Sequence, residues 1–530
     1  MITRRIVRAR FPARWLLAAI AAAVAVACSV NPVTGEREFR IYGEDWEQQV
    51  GGQMYAPMKQ SQGGEFVLDP ALTAYVQDVG ERLAAHAKRK DAFDFEFSVL
   101  NDSTPNAWAL PGGKIVVNRG LLTELDSEAE LAAVLAHEIV HADAAHGAHQ
   151  QSTGMLAQVG AVASMVVLGS QIENETARQI AMQVPAVGAQ LIMQRYGRDA
   201  ERESDEYGMR YMAEAGDDPQ GAVHLHETFG ELSKERREDW LSGLFASHPP
   251  SQERVENNRK TAAELPAGGE LGRERYQQKI AYLERVKPAY AAYDEAGQAL
   301  SEKNLELAQK KVDRALAIEP REALFMALQG DILALEERPK NALPWYDRAI
   351  RANENLFYPH LRKGQLAFKL GQQEQARGSL ARSLELLPTA EAHYLLGRLD
   401  LDAGSRAAAL EHFRAAAQSQ SDAGKRAQGE LVRLDLPQNA GNYVPTQAAQ
   451  DKDGTIWIQF ANRSPLPLRD IQFSYAWVDE AGRTRQDKVS YRGPLAGGQQ
   501  DRVRLNLRLP VVQDLGQRFR VQATAAAVAE

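Results

Sequence analysis

Ser127-Glu-Ala-Glu-Leu-Ala-Ala-Val-Leu-Ala-His-Glu-Ile-Val-His141 opens on a capping pair, Ser127 with Glu130, and meets no helix breaker before Gly147. The segment is predicted to be one helix. His137 and His141 stand four residues apart, so their imidazoles project from one face about one turn apart, the separation a tetrahedral zinc needs. Glu138 lies beside the first histidine. From there it can take a proton from a water at the metal without binding the metal itself.

Working outward, the next question is the third ligand. The metzincin pattern would place Gly at 144 and His at 147, whereas the chain has Ala144 and Gly147, which excludes that subclass. Downstream, Arg198-Asp-Ala-Glu201-Arg-Glu-Ser-Asp205-Glu-Tyr-Gly208 puts carboxylates at i and i+4 of a second predicted helix. Glu201 can complete a zinc triad, and Asp205 can accept the outer N–H of a zinc-bound histidine, fixing its tautomer. Taken alone, without the His-Glu-x-x-His segment, the same acidic run reads as a solvated helix face, as most such runs do.

Upstream, the chain starts on the basic stretch MITRRIVRARFPAR, an apolar run from Trp15 to Ala27, and Cys28, the one cysteine present. This is the layout of an export signal, with an apolar run short for a membrane span. Ala25-Val26-Ala27-Cys28 resembles the lipobox of bacterial lipoproteins, which implies that Cys28 is lipidated and, with Ser29 next, sorted to the outer membrane. A single cysteine permits no internal disulfide, so stability comes from apolar cores. The formal charge is -8, and since residues 1–28 carry five arginines and no acid, the remainder carries -13. That balance argues against nucleic acid as a partner.

At 530 residues and 44% hydrophobic, the chain holds several folding units. Residues 42–262 mix helical patterns with strand-like runs at Phe93 to Val99 and Lys114 to Asn118, an α+β unit. Met155 to Gly169 is strongly apolar but too short to cross a bilayer, and is expected to be a buried helix. From Pro288 the sequence repeats: Ala296, Gly330, Gly364 and Gly397 recur at intervals of 34, 34 and 33. Ala308, Ala342, Ala376 and Ala409 follow the same step, as do Val312, Tyr346, Leu380 and Phe413. This pattern resembles about four tetratricopeptide repeats over 288–420. Beyond a polar stretch, alternating runs at 455–460, 471–477, 503–507 and 519–522 predict a small antiparallel sandwich.

Five motifs together resemble the gluzincin metallopeptidases related to HtpX and the CAAX prenyl proteases, in particular the periplasmic β-barrel assembly-enhancing proteases. They are Cys28-Ser-Val-Asn-Pro-Val-Thr-Gly35, Asn106-Ala-Trp-Ala-Leu-Pro-Gly112, His137-Glu-Ile-Val-His141, Glu201-x-x-x-Asp205 and Ser247-His-Pro-Pro-x-x-x-Arg254. The resemblance spans 28 to about 420 and leaves out the sandwich. It implies one Zn2+ per chain on His137, His141 and Glu201, with Glu138 as catalytic base and Asp205 and Arg254 supporting the ligands. It further implies that His248 acts either as an oxyanion partner or as a fourth ligand. An edge strand near Asn106 to Val117 would pair with extended substrate, and Lys114 to Asn118 has the β-branched content for it.

The expected architecture is therefore multidomain and mainly α, with an α+β zincin-type peptidase domain, an α-solenoid of repeats and a small C-terminal β-sandwich. Its boundaries run 1–27 signal, 28–41 tether, 42–262 peptidase, 263–287 linker helix, 288–420 repeats, 421–450 linker and 451–530 sandwich. The implied role is zinc-dependent cleavage of unfolded or misassembled outer-membrane proteins in the periplasm, by a lipid-anchored protein whose repeats dock on the β-barrel assembly machinery. A chaperone-like scaffold with secondary proteolysis is the alternative. Glu138→Gln separates the two.

Overall fold

The computed structural model describes residues 28–155, 196–235, 248, 251–266, 268–479, 481–512 and 514–529. The expected export signal at 1–27 and residues 156–169 of the apolar run lie outside them. The described chain is mainly helical and divides into two compact units at Pro359 and His360. No described helix is long and apolar enough to cross a membrane.

The first unit begins with the hairpin β1 (Cys28–Val30) and β2 (Arg37–Phe39), which pair antiparallel. Residues 28–41 are thus a folded piece rather than a free tether. Asn31 Oδ1 accepts the N–H groups of Val33 and Thr34, closing the turn, and Val33 enters the main core. Next come α1 (Glu44–Ser61) and α2 (Pro70–Ala84), then β3 (Glu96–Leu100), β4 (Ala107–Leu110) and β5 (Lys114–Asn118). The sheet order is β3-β5-β4, parallel for β3 with β5 and antiparallel for β4 with β5. Lys114 to Asn118 is therefore the central strand. Its Ile-Val-Val run, hydrogen-bonded on both sides and buried, has no free edge for substrate. Ala107 to Leu110 is the edge.

After α3 (Arg119–Leu122) comes α4 (Glu128–Asp143), capped by Ser127, whose Oγ accepts the Glu130 N–H. The Glu130 carboxylate reaches the Asp126 N–H, one residue ahead of the cap. Every residue of α4 except His137 is buried, the charged Glu128, Glu130, Glu138 and Asp143 included. It packs against α5 (Arg198–Ala215) and α6 (Gln220–Glu235). At Gly208 of α5 a Cβ would stand 3.2 Å from the His137 backbone N, so the absent side chain lets α4 and α5 close on each other.

The helices α7 (Gln252–Glu264) and α8 (Arg273–Ser301) follow. Pro288 lies inside α8 rather than opening a new element, and Tyr276, Ile280, Leu283 and Val286 share one core with α4. The expected linker helix is thus half of a continuous 29-residue helix with a buried apolar face. The antiparallel helices α9 (Leu305–Ile318), α10 (Ala323–Leu335) and α11 (Pro339–Ala352) extend the repeats, and α12 (Phe357–Lys369) leads into the second unit.

In that unit α13 (Gln373–Leu386), α14 (Ala390–Asp402) and α15 (Arg406–Ala416) continue the repeats. The small and large registers face each other: a Cβ at Gly330 would meet the Tyr346 ring at 2.7 Å, one at Gly364 Leu380 at 2.6 Å, and one at Gly397 the Phe413 ring at 2.7 Å. Residues 421–450 are no linker. Within them stand α16 (Asp422–Asp435), α17 (Ala440–Tyr443) and β6 (Thr446–Gln450), and Val432, Leu436, Ala440 and Val444 are buried in the sandwich core. The remaining strands are β7 (Thr455–Ala461), β8 (Leu468–Val478), β9 (Thr484–Tyr491), β10 (Gln500–Arg508) and β11 (Phe519–Val528). Two three-stranded antiparallel sheets, β10-β7-β6 and β11-β8-β9, enclose Ile456, Ile458, Phe460, Ile471 and Phe473.

Candidate metal centre

Helices α4 and α5 and the segment at His248 bring His137, His141, Glu201 and His248 together, with one ligand atom from each within 4.8 Å of all the others. His137 Nε2 lies 3.0 Å from His141 Nε2 and 3.2 Å from His248 Nδ1. Glu201 Oε1 lies 3.5 Å from His141 Nε2 and 2.9 Å from His248 Nδ1. In a tetrahedral zinc site, ligand atoms at the usual Zn–N distance are about 3.3 Å apart. The spacings here match that edge length.

The outer atoms decide which form the ligands take. His137 Nδ1 sits 2.9 Å from Asp205 Oδ1, so it carries the proton and leaves Nε2 as a bare lone pair aimed at His141. Asp205 is gripped by Arg254, with Nε on Oδ2 at 2.7 Å and Nη2 on Oδ1 at 2.6 Å. Burial would keep Asp205 neutral, but Arg254 prevails and holds its carboxyl well below the usual range. Burial pushes the His141 imidazole far down, toward the neutral form a metal binds. Glu201 Oε2 pairs with Arg254 Nη1 at 2.9 Å and, buried, has no hydrogen-bond partner among the described residues, leaving a lone pair to give. Converging nitrogen lone pairs and a carboxylate held charged by His248 and His141 against the opposing effect of burial form a donor set that fits a divalent cation.

Glu138 adjoins this group without joining it. Its Oε1 is 3.5 Å from His248 Nε2, and burial raises its pKa. The Ala109 N–H of β4 reaches its carboxylate, which sets the base at the open edge of the sheet. Asn106 immediately precedes that strand, where its backbone carbonyl accepts the Asn118 N–H and its buried Oδ1 has no hydrogen-bond partner among the described residues.

Residues 70–262 match Peptidase family M48. The chain carries an M48 metallopeptidase domain. Residues 293–356 and 361–424 match the tetratricopeptide repeat. The chain is 27% identical over 384 residues to the beta-barrel assembly-enhancing protease of Escherichia coli, covering 63% of this chain and 77% of that one. It is also 29% identical over 229 residues to the mitochondrial metalloendopeptidase OMA1 of Schizosaccharomyces pombe, covering 42% and 63%.

The M48 site contains residues that motif reading passes over. Tyr196 stacks on the His141 ring at 4.0 Å between centroids. His226 Nε2 lies 3.5 Å from Asp205 Oδ1. His146 lies against His141 from outside, with the two Nδ1 atoms 2.9 Å apart. Nothing in local spacing marks these three, since each acts through the fold rather than a motif.

Proposed function

We propose that this chain is a zinc-dependent endopeptidase of the bacterial periplasm that acts on unfolded or misassembled outer-membrane proteins. The observation that carries the reading is Glu138, buried beside four converging metal ligands and bonded to the edge strand of the sheet. His137, His141 and Glu201 would hold Zn2+, with Asp205 and Arg254 bracing them. When bound, the metal supplies positive charge that acidifies water and stabilises a developing oxyanion.

Glu138 takes the proton from the attacking water and delivers it to the leaving amine. Burial suits it to this task, because a carboxylate with a raised pKa is a better base and then a usable acid. Strand β4 supplies main-chain groups to an extended peptide, which demands little of substrate side chains and suits unfolded polypeptides. Asn106 stands where such a peptide would run on. His248 would offer the metal a fourth ligand, which would hold the enzyme latent until substrate or a partner displaced it.

The periplasmic assignment rests on the export signal and on the E. coli relative, whose name is that of a β-barrel assembly-enhancing protease. Cys28 would carry the lipid that holds the protein at the outer membrane. The repeats, made of paired helices, would dock on the assembly machinery. Their extent also supports the second reading, a scaffold with proteolysis in reserve. Capture by Glu138→Gln tests both: the inactive protein should retain unfolded outer-membrane precursors that the wild type cleaves. Wild-type protein that binds such precursors without ever cutting them would favour the scaffold.

A further inference from the structure

His141 has a neighbour on its outer side that no motif explains. Its Nδ1 meets His146 Nδ1 at 2.9 Å, and the His146 Nε2 faces Glu203 Oε2 at 3.4 Å, with no hydrogen-bond partner among the described residues. Glu203 Oε1 in turn accepts from Asn31 Nδ2 at 2.9 Å. Asn31 and His146 are buried, at 1% and 4% exposure, so water does not compete for these contacts. The hairpin that carries Asn31 is held nearby at two more points, where His149 Nδ1 meets the Phe39 carbonyl oxygen at 3.1 Å and the Ile41 N–H donates to Ser152 Oγ at 3.1 Å.

We propose that Asn31, Glu203 and His146 form a positioning chain that holds His141 with its proton on Nδ1 and its Nε2 lone pair turned to the metal, making the N-terminal hairpin a structural component of the metal centre. This rests on the metal-centre reading above. The protons run one way along the chain. His141 Nδ1–H donates to His146 Nδ1, His146 Nε2–H points to Glu203, and the Asn31 amide donates to the other oxygen of Glu203, keeping that carboxylate turned inward. If His146 donated to His141 instead, the proton of His141 would sit on Nε2, 3.0 Å from His137 Nε2, and block a ligand position. Outer partners of ligating histidines are typically worth 10- to 100-fold, roughly, in metal affinity. His137 takes its partner from the same helix as Glu201, whereas His141 takes its own through a segment 110 positions away in the chain.

The decisive variant is Asn31→Asp. It keeps the Oδ1 that closes the turn on Val33 and Thr34, while the amide donor that Glu203 Oε1 shares with Glu38 Oε1 is lost. The full chain is stripped of metal, and zinc affinity is measured by competition with a chromogenic chelator, alongside the visible spectrum of the cobalt-substituted protein and the thermal midpoint of the metal-free form. Asn31→Asp and His146→Ala should each weaken zinc binding about 10- to 100-fold and shift the cobalt spectrum. The metal-free midpoint of Asn31→Asp should fall only by the cost of a carboxylate placed beside Glu203 and Glu38, leaving the protein folded at the temperature of the zinc titration. Wild-type zinc affinity in Asn31→Asp would overturn the proposal, and so would a fall in its metal-free midpoint large enough to account for the loss. If His146→Ala does not fold, Asn31→Asp decides alone. A wild-type chain that binds no zinc would instead refute the metal-centre reading itself.

Discussion

At the scale of single residues, His248 is where geometry makes the sharpest claim. Its Nδ1 stands 2.9 Å from Glu201 and its Nε2 3.5 Å from Glu138, so one side chain bridges the candidate ligand group and the proposed base. His248→Ala should therefore raise basal cleavage of an unfolded polypeptide, or self-cleavage, several-fold, and the gain should vanish in a Glu138→Gln background. Activity that falls with zinc retained would place His248 at the oxyanion instead. The two histidines of the candidate metal centre were legible because helical spacing alone puts His137 and His141 on one face. Glu201 and Asp205 were visible as a spacing but not as a choice, since an exposed acidic face looks the same. His146, Glu203 and Asn31 were not legible as a chain. Asn31 and Glu203 lie 172 positions apart, and neither has a local pattern that announces a partner.

At the scale of elements, the start of α4 is pinned by one carboxylate. Glu128 Oε2 accepts from Tyr75 Oη at 2.7 Å and Arg275 Nε at 2.6 Å, and Oε1 accepts from Arg275 Nη2 at 2.8 Å and Arg82 Nη2 at 3.0 Å. It also stands in the first turn, where the helix dipole favours negative charge. Burial opposes this charge, but the hydrogen bonds from Arg275, Tyr75 and Arg82 prevail and lower the pKa. A group with a depressed folded-state pKa contributes stability above its unfolded pKa, about 4.3 for glutamate, and loses it as pH falls through the folded value. Thermal stability of the first unit should therefore decline below about pH 4.3. Glu128→Gln should cost about 1–3 kcal/mol at neutral pH and flatten that acid decline. An unaltered acid profile in the variant would remove Glu128 from the account.

The repeats offer an independent test at the same scale. Phe413 is fully buried against Gly397, so Gly397→Ala should overpack the helix pair and cost about 1–3 kcal/mol, measured by chemical denaturation. No change would mean that the pair has room to part. The alternation of small and large residues was legible from the interval alone. Strand order was harder, because three short runs at 96–100, 107–110 and 114–118 do not reveal which is central. The β-branched run of Lys114 to Asn118 suits a strand paired on both sides, whereas Ala107 to Leu110, with no β-branched residue, forms the edge. The continuity of α8 was hidden by Pro288, which reads as a boundary but sits inside the helix.

At the scale of the whole molecule, the chain combines an M48 peptidase domain with tetratricopeptide repeats and a sandwich, and α8 carries one buried face from the peptidase core into the first repeat. The order of these parts was readable because each has its own period: isolated motifs first, a step of 34 or 33 next, alternation last. The junctions were not, since buried faces at 28–41, 263–287 and 421–450 are made by contacts across the fold. The account stands on metal-dependent hydrolysis with Glu138 as base, and one paired measurement tests it: zinc content by elemental analysis together with cleavage of an unfolded outer-membrane polypeptide, for the wild type and Glu138→Gln. The account predicts about one zinc per chain in both, from a three-residue ligand set, and a loss of cleavage of about 10²- to 10⁴-fold in the variant. Cleavage at the wild-type rate by Glu138→Gln, or by wild-type protein stripped of metal, would contradict it.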